Sequence, residues 1–428
     1  MTDRRRRTVL DLVDAALRAV DPRRAVEAAL RWDAGSVVVD GHRIPVRGRV
    51  VVLAIGKAAS AMADGAAAGL AGLPITGVVV GPETDTVDGL LSIAGDHPRP
   101  GAGSLRGGRA LLDAAAAASP DDLVVALVSG GGSSLAEVPA PGVPMAEIED
   151  LTGALLLSGA PIGDVNLVRR HLSSLKNGGL AAVTRAPIAT LVLSDVVGDR
   201  PAEVASGPTI ADDSTGADAL AVLSGWGIPV PPAAARHLRS APPRPGRDEG
   251  VVTVVGSGAM AAEAAVAAAR ARGLDAGVGS TTLSGEARAV GRNLARTARP
   301  GITIHAGETT VTVTGPGRGG RNQELALAAG IALEHGPDTL VAAVGTDGID
   351  GPTEAAGAFG DAGTVERGRR RGRDAVAALE TNDAHPYLEA TGDLIVTGRT
   401  GTNVADLVFV WSTVEGPFPY RRAREVRA

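Results

Sequence analysis

The sequence predicts a two-domain α/β protein, and three observations lead to this prediction. Short apolar runs between residues 50 and 193 alternate with alanine-rich segments of helical spacing, which is typical of parallel βαβ units. A Pro- and Arg-rich stretch interrupts this alternation at about 229–250, as expected of a linker. The length of 428 residues also exceeds that of an ordinary single domain. We therefore expect a Rossmann-like domain with a doubly wound parallel sheet and a smaller α/β domain with a mixed sheet.

The elements of the first domain can be justified in chain order. Residues 1–20 carry apolar positions at helical spacing between charges, which indicates an amphipathic helix and not a signal peptide. Asp21 and Pro22 predict the N-cap and first position of a second helix. Asp40-Gly41 predicts a hairpin turn. The buried parallel strands are then predicted by the runs VVVLAI, ITGVVV, LVVALV and IATLVL.

We place the first domain at 1–235, the linker at 236–249 and the second domain at 250–428, with the option that helix 1–20 packs on the second domain. The strands of the second domain are predicted by VVTVVG, GITIHA, TVTVTG, LVAAVG and DLVFVW. ETTVTV follows GITIHA closely enough to form an antiparallel hairpin with it, which is why we expect a mixed sheet.

The composition restricts the classes of function. Hydrophobic residues make up 44% and charged residues 21% of the chain, a balance that excludes a disordered protein. Aromatic residues make up only 2%, so the cores must consist of Ala, Val and Leu, and stacking of single-stranded nucleic acid is disfavoured. A net charge of −6 gives no general attraction to nucleic acid or anionic membranes. We expect small-molecule partners, and the oligomeric state, including a homodimer, stays open.

Cysteine is absent, which excludes disulfides, thiolate nucleophiles and Cys-ligated metals. Any metal site must therefore use oxygen or imidazole ligands. No run of about 18 apolar residues occurs, as a membrane-spanning helix would need. These observations favour a cytoplasmic protein.

The segment VVLAIGKAAS places Lys57 between a strand and the start of a helix. A cation is disfavoured at the positive end of a helix, so the pattern is reasonable if an anion binds between them. Lys176 is the only other lysine, and all remaining basic residues are arginine, which suggests that a compact ammonium is needed at these positions. The alternatives are a solvent-exposed turn for Lys57 and C-capping of a helix for Lys176.

A glycine-rich loop, SGGGSS, follows the strand LVVALV. Successive glycines let several backbone N–H groups converge on one point, and serine hydroxyls add further donors. Loops at the carboxyl ends of strands are where α/β folds bind ligands. We therefore predict phosphate binding, against the alternative of a flexible loop, for the residues Ser129, Gly130, Gly131, Gly132, Ser133 and Ser134.

Carboxylates follow two other predicted strands. Asp195 lies directly after IATLVL, where it can accept a proton or hold Mg²⁺. Asp347 and Asp350 lie among glycines after LVAAVG, at a spacing that is not that of an EF-hand. Capping of a following turn is the alternative for these aspartates.

Further polar turns precede elements of the second domain. Arg321 lies in a glycine-rich turn before a helix that contains Asn322, and its guanidinium suits carboxylate or phosphate recognition. Thr402 and Asn403 lie in a turn ahead of the last strand. VVGSGAMAAE matches the dinucleotide-binding pattern G-x-G-x-x-A, but the acidic residue expected about 20 residues later is missing.

Motifs over nearly the whole chain resemble, in order, those of the glycerate 2-kinases that carry a C-terminal MOFRL domain. These motifs are AIGKAASAM, GDHP, VSGGGSS, VRRHLSSLK, LVLSDVVGD with ASGPT, SGEAR, GETTV, GRGGRNQELALA, GTDGIDGPTEAAGA and GTNVADL. The resemblance implies ATP- and Mg²⁺-dependent phosphorylation of D-glycerate to 2-phosphoglycerate. It also implies a site in the cleft between the two domains, with the MOFRL region at about 300–412.

In this family the lysine of the GK segment and the arginine of GGRNQE are regarded as active-site residues, and they correspond to Lys57 and Arg321. We expect Lys57 and the SGGGSS backbone to hold phosphate oxygens, and Arg321 to bind the glycerate carboxylate or the transferred group. Asp195 is the expected base or metal-associated carboxylate, and Asp347 or Asp350 is expected to help hold Mg²⁺. The remaining predicted substrate- or phosphate-binding residues are Lys176, Asn322, Thr402 and Asn403.

Two alternative functions stay open. Some family members have been labelled hydroxypyruvate reductases, which would make the protein an NAD(P)-dependent enzyme. A non-catalytic protein that binds sugar acids or nucleotides is the other alternative. The preferred hydroxy acid also stays open, because the chain reads K-N-G-G from Lys176 where the family usually reads K-G-G-R.

Overall fold

The computed structural model describes residues 2–241 and 250–413. The chain divides into two compact units. We call Asp21–Gly256 the parallel-sheet unit, and the described residues of Met1–Val20 and Ser257–Ala428 the mixed-sheet unit.

The helices of the described chain are α1 (Thr2–Ala19), α2 (Pro22–Ala29), α3 (Ala59–Gly69), α4 (Ala102–Ala116), α5 (Gly132–Leu135), α6 (Met145–Leu157), α7 (Ile162–His171), α8 (Gly179–Val183), α9 (Gly216–Gly225), α10 (Pro232–Ser240), α11 (Gly258–Ala271), α12 (Ala287–Arg296), α13 (Arg321–Ala332), α14 (Thr364–Arg370), α15 (Ala375–Glu380) and α16 (Ala384–Thr391). The strands are β1 (Leu30–Asp33), β2 (Ser36–Val39), β3 (His42–Pro45), β4 (Val50–Ile55), β5 (Ile75–Gly81), β6 (Leu90–Ala94), β7 (Leu123–Ser129), β8 (Ile188–Leu193), β9 (Val251–Gly256), β10 (Ala276–Glu286), β11 (Gly301–Thr310), β12 (Thr339–Gly345), β13 (Gly357–Asp361), β14 (Leu394–Ile395) and β15 (Asp406–Ser412). None of the described helices combines the length and hydrophobicity that crossing a membrane requires.

The parallel-sheet unit contains a six-stranded sheet in the order β6-β5-β4-β7-β8-β9, with all neighbours parallel. The four predicted apolar runs are β4, β5, β7 and β8, which confirms the Rossmann-like prediction. Every residue of β4, β7 and β8 is buried, because both faces of a parallel sheet are covered. The strand order reverses between β4 and β7, so the loops after these two strands are neighbours at the carboxyl edge of the sheet.

Two local predictions in this unit are confirmed. The Asp21 carboxylate accepts a hydrogen bond from Arg24 N at 2.9 Å, and Pro22 begins α2. β2 and β3 pair in antiparallel fashion around Asp40 and Gly41. Both turn residues have positive φ, +46° and +84°, as a type I′ hairpin turn requires.

The predicted linker is helical at its start. The composition predicts a linker at 236–249, but residues up to Ser240 belong to α10, which buries Ala234 and Leu238 against α6, α7 and α9. Apolar burial therefore outweighs the Pro- and Arg-rich composition. Residues 242–249 of the predicted linker lie outside the described residues. β9 pairs with β8, so the parallel-sheet unit extends to Gly256 instead of ending at residue 235.

The mixed-sheet unit contains six strands in the order β10-β11-β15-β12-β13-β14. Only β10 and β11 are parallel neighbours among them, so the prediction of a mixed sheet is confirmed. The predicted hairpin within GITIHAGETTVTV is wrong, because Gly301–Thr310 forms one continuous strand, β11. Gly307 has φ +155°, and a Cβ there would lie 2.1 Å from Leu283 O. The glycine thus allows close strand contact and does not make a turn.

Helix α1 belongs to the mixed-sheet unit, where it contacts α11. Arg6 donates to Asp361 at 2.7 Å and to Asp393 at 2.6 Å. Arg367 binds the same two carboxylates at 2.8 and 3.0 Å. The Asp393 side chain is fully buried, and a buried carboxylate is costly unless it is paired. Two arginines thus compensate two buried acids and hold α1 to its unit.

We expect Arg6→Leu to lower the free energy of unfolding of the mixed-sheet unit by about 3 kcal/mol, because it leaves one cation for two buried carboxylates. Guanidinium chloride denaturation followed by circular dichroism measures this loss. Arg7→Leu is the matched control, since Arg7 is the next residue of α1 and is exposed. Its effect should stay within about 0.5 kcal/mol. Equal losses in the two variants would contradict a stabilising role for the Arg6 pairs.

Candidate active site

Direct hydrogen bonds join the two loops at the strand-order reversal. Lys57 N donates to Gly130 O at 2.9 Å, and Ala58 N donates to Ser129 Oγ at 3.1 Å. Ser129 Oγ in turn donates to Ile55 O at 3.3 Å. The buried Ser129 hydroxyl has no proton left for a phosphate. The Ser129 hydroxyl therefore joins the two loops, and phosphate binding by Ser129 stays a prediction for its backbone.

Gly56 makes this close approach of the loops possible. Its φ of +125° favours glycine, and a Cβ at this position would lie 2.2 Å from Ser129 Oγ. Any side chain would therefore push the Lys57 loop away from the glycine-rich loop.

The glycine-rich loop runs between Lys57 and Asp195. A Cβ on Gly131 would lie 2.9 Å from Lys57 Cγ, and a Cβ on Gly130 would lie 1.9 Å from an Asp195 carboxylate oxygen. Lys57 is exposed and forms no ion pair within the described chain. Burial raises the pKa of Asp195 above its usual value, and the charge of Lys57 opposes this shift. Lys57, the glycines and Asp195 are thus brought together as predicted.

Ser133 lies next to a hydroxyl and a guanidinium that were not predicted. Its Oγ is 2.8 Å from Ser206 Oγ, and Arg169 Nη2 donates to its carbonyl oxygen at 3.0 Å. Ser134 is buried. Arg169 and Ser206 lie in the motifs VRRHLSSLK and ASGPT, but no spacing in these motifs distinguishes Arg169 from its neighbour Arg170.

His97 is a neighbour of Lys57 that nothing in the sequence pattern singled out. Burial and the charge of Lys57 lower the pKa of His97, so the ring is neutral at pH 7. The carboxylate of the preceding Asp96 accepts hydrogen bonds from Gly103 N and Ser104 N at 2.8 and 3.1 Å. These contacts fix the GDHP segment to the start of α4.

Lys176 is a core residue, so its predicted substrate contact is wrong. Helix α7 ends at His171, which also excludes the C-capping alternative for Lys176. The ammonium is 1% exposed and pairs with Glu137, whose Oε1 accepts from Ser173 Oγ at 2.5 Å. Burial lowers the pKa of Lys176 to about 8, against the opposing charge of Glu137.

In the mixed-sheet unit, Arg321 is the first residue of α13 and is held by two carboxylates. Its Nε and Nη2 donate to Asp406 at 2.5 and 2.9 Å, and its Nη1 lies 2.7 Å from Glu308 Oε1. Burial alone would lower the pKa of Arg321, but the hydrogen bonds and charge of Asp406 raise it above its ordinary value. Two of the five guanidinium N–H groups remain for an anion.

Asp350 caps α13, and its predicted role as a metal ligand is wrong. Its Oδ1 accepts from the backbone and side-chain amides of Asn322 at 3.1 and 3.3 Å, and its Oδ2 from those of Gln323 at 2.9 and 3.0 Å. These bonds fill the acceptor sites of the carboxylate. Burial raises the pKa of Asp350 to about 6. Asn322 is buried in this cap, its side-chain oxygen has no hydrogen-bond partner in the described chain, and its contact with substrate stays a prediction.

Side chains of the turn before β15 form hydrogen bonds within the mixed-sheet unit. Thr402 Oγ1 donates to Val20 O at 2.9 Å, and the predicted substrate contact of Thr402 is therefore wrong. Asn403 Oδ1 accepts from Ala405 N at 3.2 Å within its own turn, and its substrate contact stays a prediction. Asp347 is half-buried, and one of its oxygens accepts from Ile349 N at 3.1 Å.

Within residues 2–241 and 250–413, no three His, Asp or Glu side chains are grouped to hold a metal ion by themselves. Mg²⁺ in phosphoryl-transfer sites commonly needs only one or two carboxylates, together with substrate phosphates and water. Asp195 and Asp347 are the predicted carboxylates that keep unfilled acceptor sites, and they fit this requirement. Any Mg²⁺ bound here would therefore depend on a phosphate ligand.

Comparison with known proteins relates this geometry to a family. Residues 8–239 match the family described as domain of unknown function DUF4147, and residues 301–406 match the MOFRL family. A D-glycerate 2-kinase from Thermotoga maritima is 38% identical over 418 residues, which cover 94% of this chain and 97% of that protein. A relative from Agrobacterium vitis with the provisional name hydroxypyruvate reductase is 38% identical over 420 residues, covering 94% of this chain and 93% of that protein.

The fold agrees with the sequence match. The crystal structure of a glycerate kinase from Thermotoga maritima matches with a TM-score of 0.86 at 36% identity, covering 96% of this chain and 100% of that one. Sequence and fold thus agree over nearly the whole length, and the chain belongs to the glycerate 2-kinase family.

Proposed function

We propose that this protein transfers a phosphoryl group from ATP to the 2-hydroxyl of D-glycerate and so forms 2-phosphoglycerate and ADP. The observation that carries the proposal is the pair of joined loops at the strand-order reversal. The Lys57 side chain lies along the glycines, and its ammonium has no ion pair among the residues that the structure describes. Membership of a kinase family supports the same reaction class. Phosphoryl transfer suits such a site, because the protein mainly positions the reactants and neutralises charge.

In this proposal Lys57 and the glycine-rich loop hold the oxygens of the transferred phosphoryl group. The absence of side chains at Gly130 and Gly131 lets the Asp195 carboxylate and the Lys57 side chain pack directly against the backbone of the loop. The compact ammonium of lysine is a point charge with three donors, which a group with several equivalent oxygens can accept. The hydrogen bonds between the loops hold the Lys57 backbone against the glycine-rich loop, which fixes their relative position during transfer.

Asp195 is the group that we propose to receive the proton of the glycerate 2-hydroxyl. Burial raises its pKa, and the charge of Lys57 opposes this shift; a raised pKa makes a carboxylate a better proton acceptor than an ordinary aspartate. Asp195 or Asp347 would hold Mg²⁺ when the nucleotide is bound. The ion would supply positive charge to the phosphate oxygens.

Arg321 is proposed to direct its two remaining N–H groups at an anion. Asp406 and Glu308 use the other donors, so they act as positioning residues that fix the plane of the guanidinium. A fixed guanidinium loses little conformational entropy when it binds an anion.

A coupled assay tests the reaction directly. We expect D-glycerate to stimulate ADP release from ATP in the presence of Mg²⁺, and we expect enolase to convert the product without a phosphoglycerate mutase. EDTA should abolish turnover without changing the circular dichroism spectrum. Hydroxypyruvate should not promote oxidation of NADH or NADPH. Absence of glycerate-stimulated ADP release would reject the kinase proposal, and NAD(P)H oxidation would favour the reductase alternative.

We expect Lys57→Arg and Lys57→Ala each to lower kcat by at least about 100-fold, because misplacement of a phosphoryl group by about 1 Å has an effect of this size. Their melting temperatures should equal or exceed that of the wild type, since a cation near the start of α3 does not stabilise the helix.

Lys176→Arg is the control for Lys57→Arg, because it makes the same substitution at the other lysine. Lys176 is fully buried, so the larger guanidinium should lower the melting temperature. A wild-type kcat for Lys57→Arg would remove Lys57 from the site, and a lowered melting temperature in both variants would show that both lysines are structural.

We also expect Asp406→Asn to lower kcat by about 10- to 100-fold, because the asparagine keeps the shape but loses the charged, two-point hold on Arg321. Glu308→Gln is the comparison, since Glu308 approaches Arg321 at a single guanidinium nitrogen and its side chain is 44% exposed. We expect less than about a fivefold effect there. Steady-state kinetics measure both, and wild-type turnover of Asp406→Asn would show that the position of Arg321 does not matter for catalysis.

A further inference from the structure

The cations near the glycine-rich loop differ in what neutralises them. Arg170 is buried and ion-paired with Asp212, and Lys176 is buried and ion-paired with Glu137. Arg169 precedes Arg170 on α7 and is only half-buried. Its one hydrogen bond to the described chain is from Nη2 to Ser133 O, at 3.0 Å. A carbonyl oxygen satisfies one donor but does not neutralise the charge of a guanidinium.

The Arg169 side chain is not fully buried, and burial lowers its pKa while the charge of Glu137 opposes this shift. Arg169 has no ion pair with the residues that the structure describes, and none of its nitrogens is both buried and without a partner. A guanidinium carries five N–H groups in a planar fork. After the bond to Ser133, enough donors remain for a two-point contact with a carboxylate.

Two cations without a direct ion pair in the described chain therefore flank the same loop within the parallel-sheet unit. Lys57 lies along Gly131, and Arg169 contacts Ser133, two residues further along. A short ligand with a negative group at each end matches this arrangement. During phosphorylation of a 2-hydroxy acid, the carboxylate and the transferred phosphoryl group are such a pair, because they are attached to neighbouring atoms.

We propose that Arg169 binds the carboxylate of the hydroxy-acid substrate and thereby makes the enzyme select acids over neutral analogues. This assignment rests on the proposed function. With Arg169 on the carboxylate, the anion for the two remaining N–H groups of Arg321 would be a phosphate group. A purely structural role for Arg169, as a brace of the loop through Ser133, is the competing explanation.

Comparison of an acid with its amide separates these two roles. D-Glycerate and D-glyceramide differ only in whether the carboxyl group is charged. We would measure kcat and KM for both with the wild type, Arg169→Met and Arg169→Lys. Arg185→Met is the control, because Arg185 is exposed and its replacement changes the net charge equally.

For D-glycerate, we expect Arg169→Met to raise KM and to lower kcat/KM by about 10- to 100-fold, as expected for loss of a charge-assisted contact. For D-glyceramide, kcat/KM should change by less than about threefold, because no such contact exists. Arg169→Lys should recover part of the preference for the acid. The KM for ATP should not change. Equal losses for acid and amide would overturn the assignment and indicate the structural role.

Direct binding keeps this test separate from the kinase proposal. Isothermal titration of D-glycerate and D-glyceramide into wild type and Arg169→Met needs no turnover. We expect the wild type to bind the acid more tightly than the amide and the variant to lose this difference. Unchanged binding of D-glycerate to Arg169→Met would overturn the assignment even if the enzyme proves to be a kinase. If Arg169→Met loses the preference for D-glycerate but the wild type shows no kinase activity, the proposed reaction is rejected and the assignment of Arg169 stands.

Discussion

The candidate site depends on the joining of two loops at the one place where the strand order of the parallel sheet reverses. Gly56 removes a side chain that would separate them, and the Ser129 hydroxyl bonds to backbone atoms on both sides of Gly56. As a consequence, Lys57 and the three glycines that follow Ser129 form one rigid surface. The strand ends determine where this surface lies. The hydrogen bonds between the loops determine how its residues are arranged relative to one another.

Charged residues in this protein divide into those that are neutralised inside the fold and those that are not. Asp350 is saturated by four N–H donors, and Lys176 is paired with Glu137 in the core. Lys57 and Arg169 have no such partners in the described chain. A buried ion pair has little remaining attraction for a ligand. Within the parallel-sheet unit, the lack of an ion pair is therefore the observation that favours Lys57 and Arg169 over Lys176 as candidate binding residues.

This division explains how far the sequence could predict the structure. The strands of the parallel sheet were predictable, because continuous apolar runs reflect burial on both faces. The burial of Lys176 could not be predicted, because its partner Glu137 lies 39 positions away along the chain. Asp350 resembled a loop ligand for the same reason, since its partners lie on α13. Helix α10 was missed because Ala234 and Leu238 pack against distant helices, which local composition does not report. Lys57 and the glycines after Ser129 remain at the candidate site, because their positions follow from the strand ends and turns of their own segments.

The chain enters the parallel-sheet unit after residue 20 and leaves it at residue 256. This unit is therefore an uninterrupted segment inserted into the mixed-sheet unit, whose parts are separated by more than two hundred residues. During synthesis on the ribosome, all strands of the parallel sheet emerge before Asp361 and Asp393 have been translated. Helix α1 is made first, yet Arg6 has to wait for those two carboxylates before it can pair. The whole parallel-sheet unit is thus synthesised before the mixed-sheet unit can pair its first helix with these carboxylates.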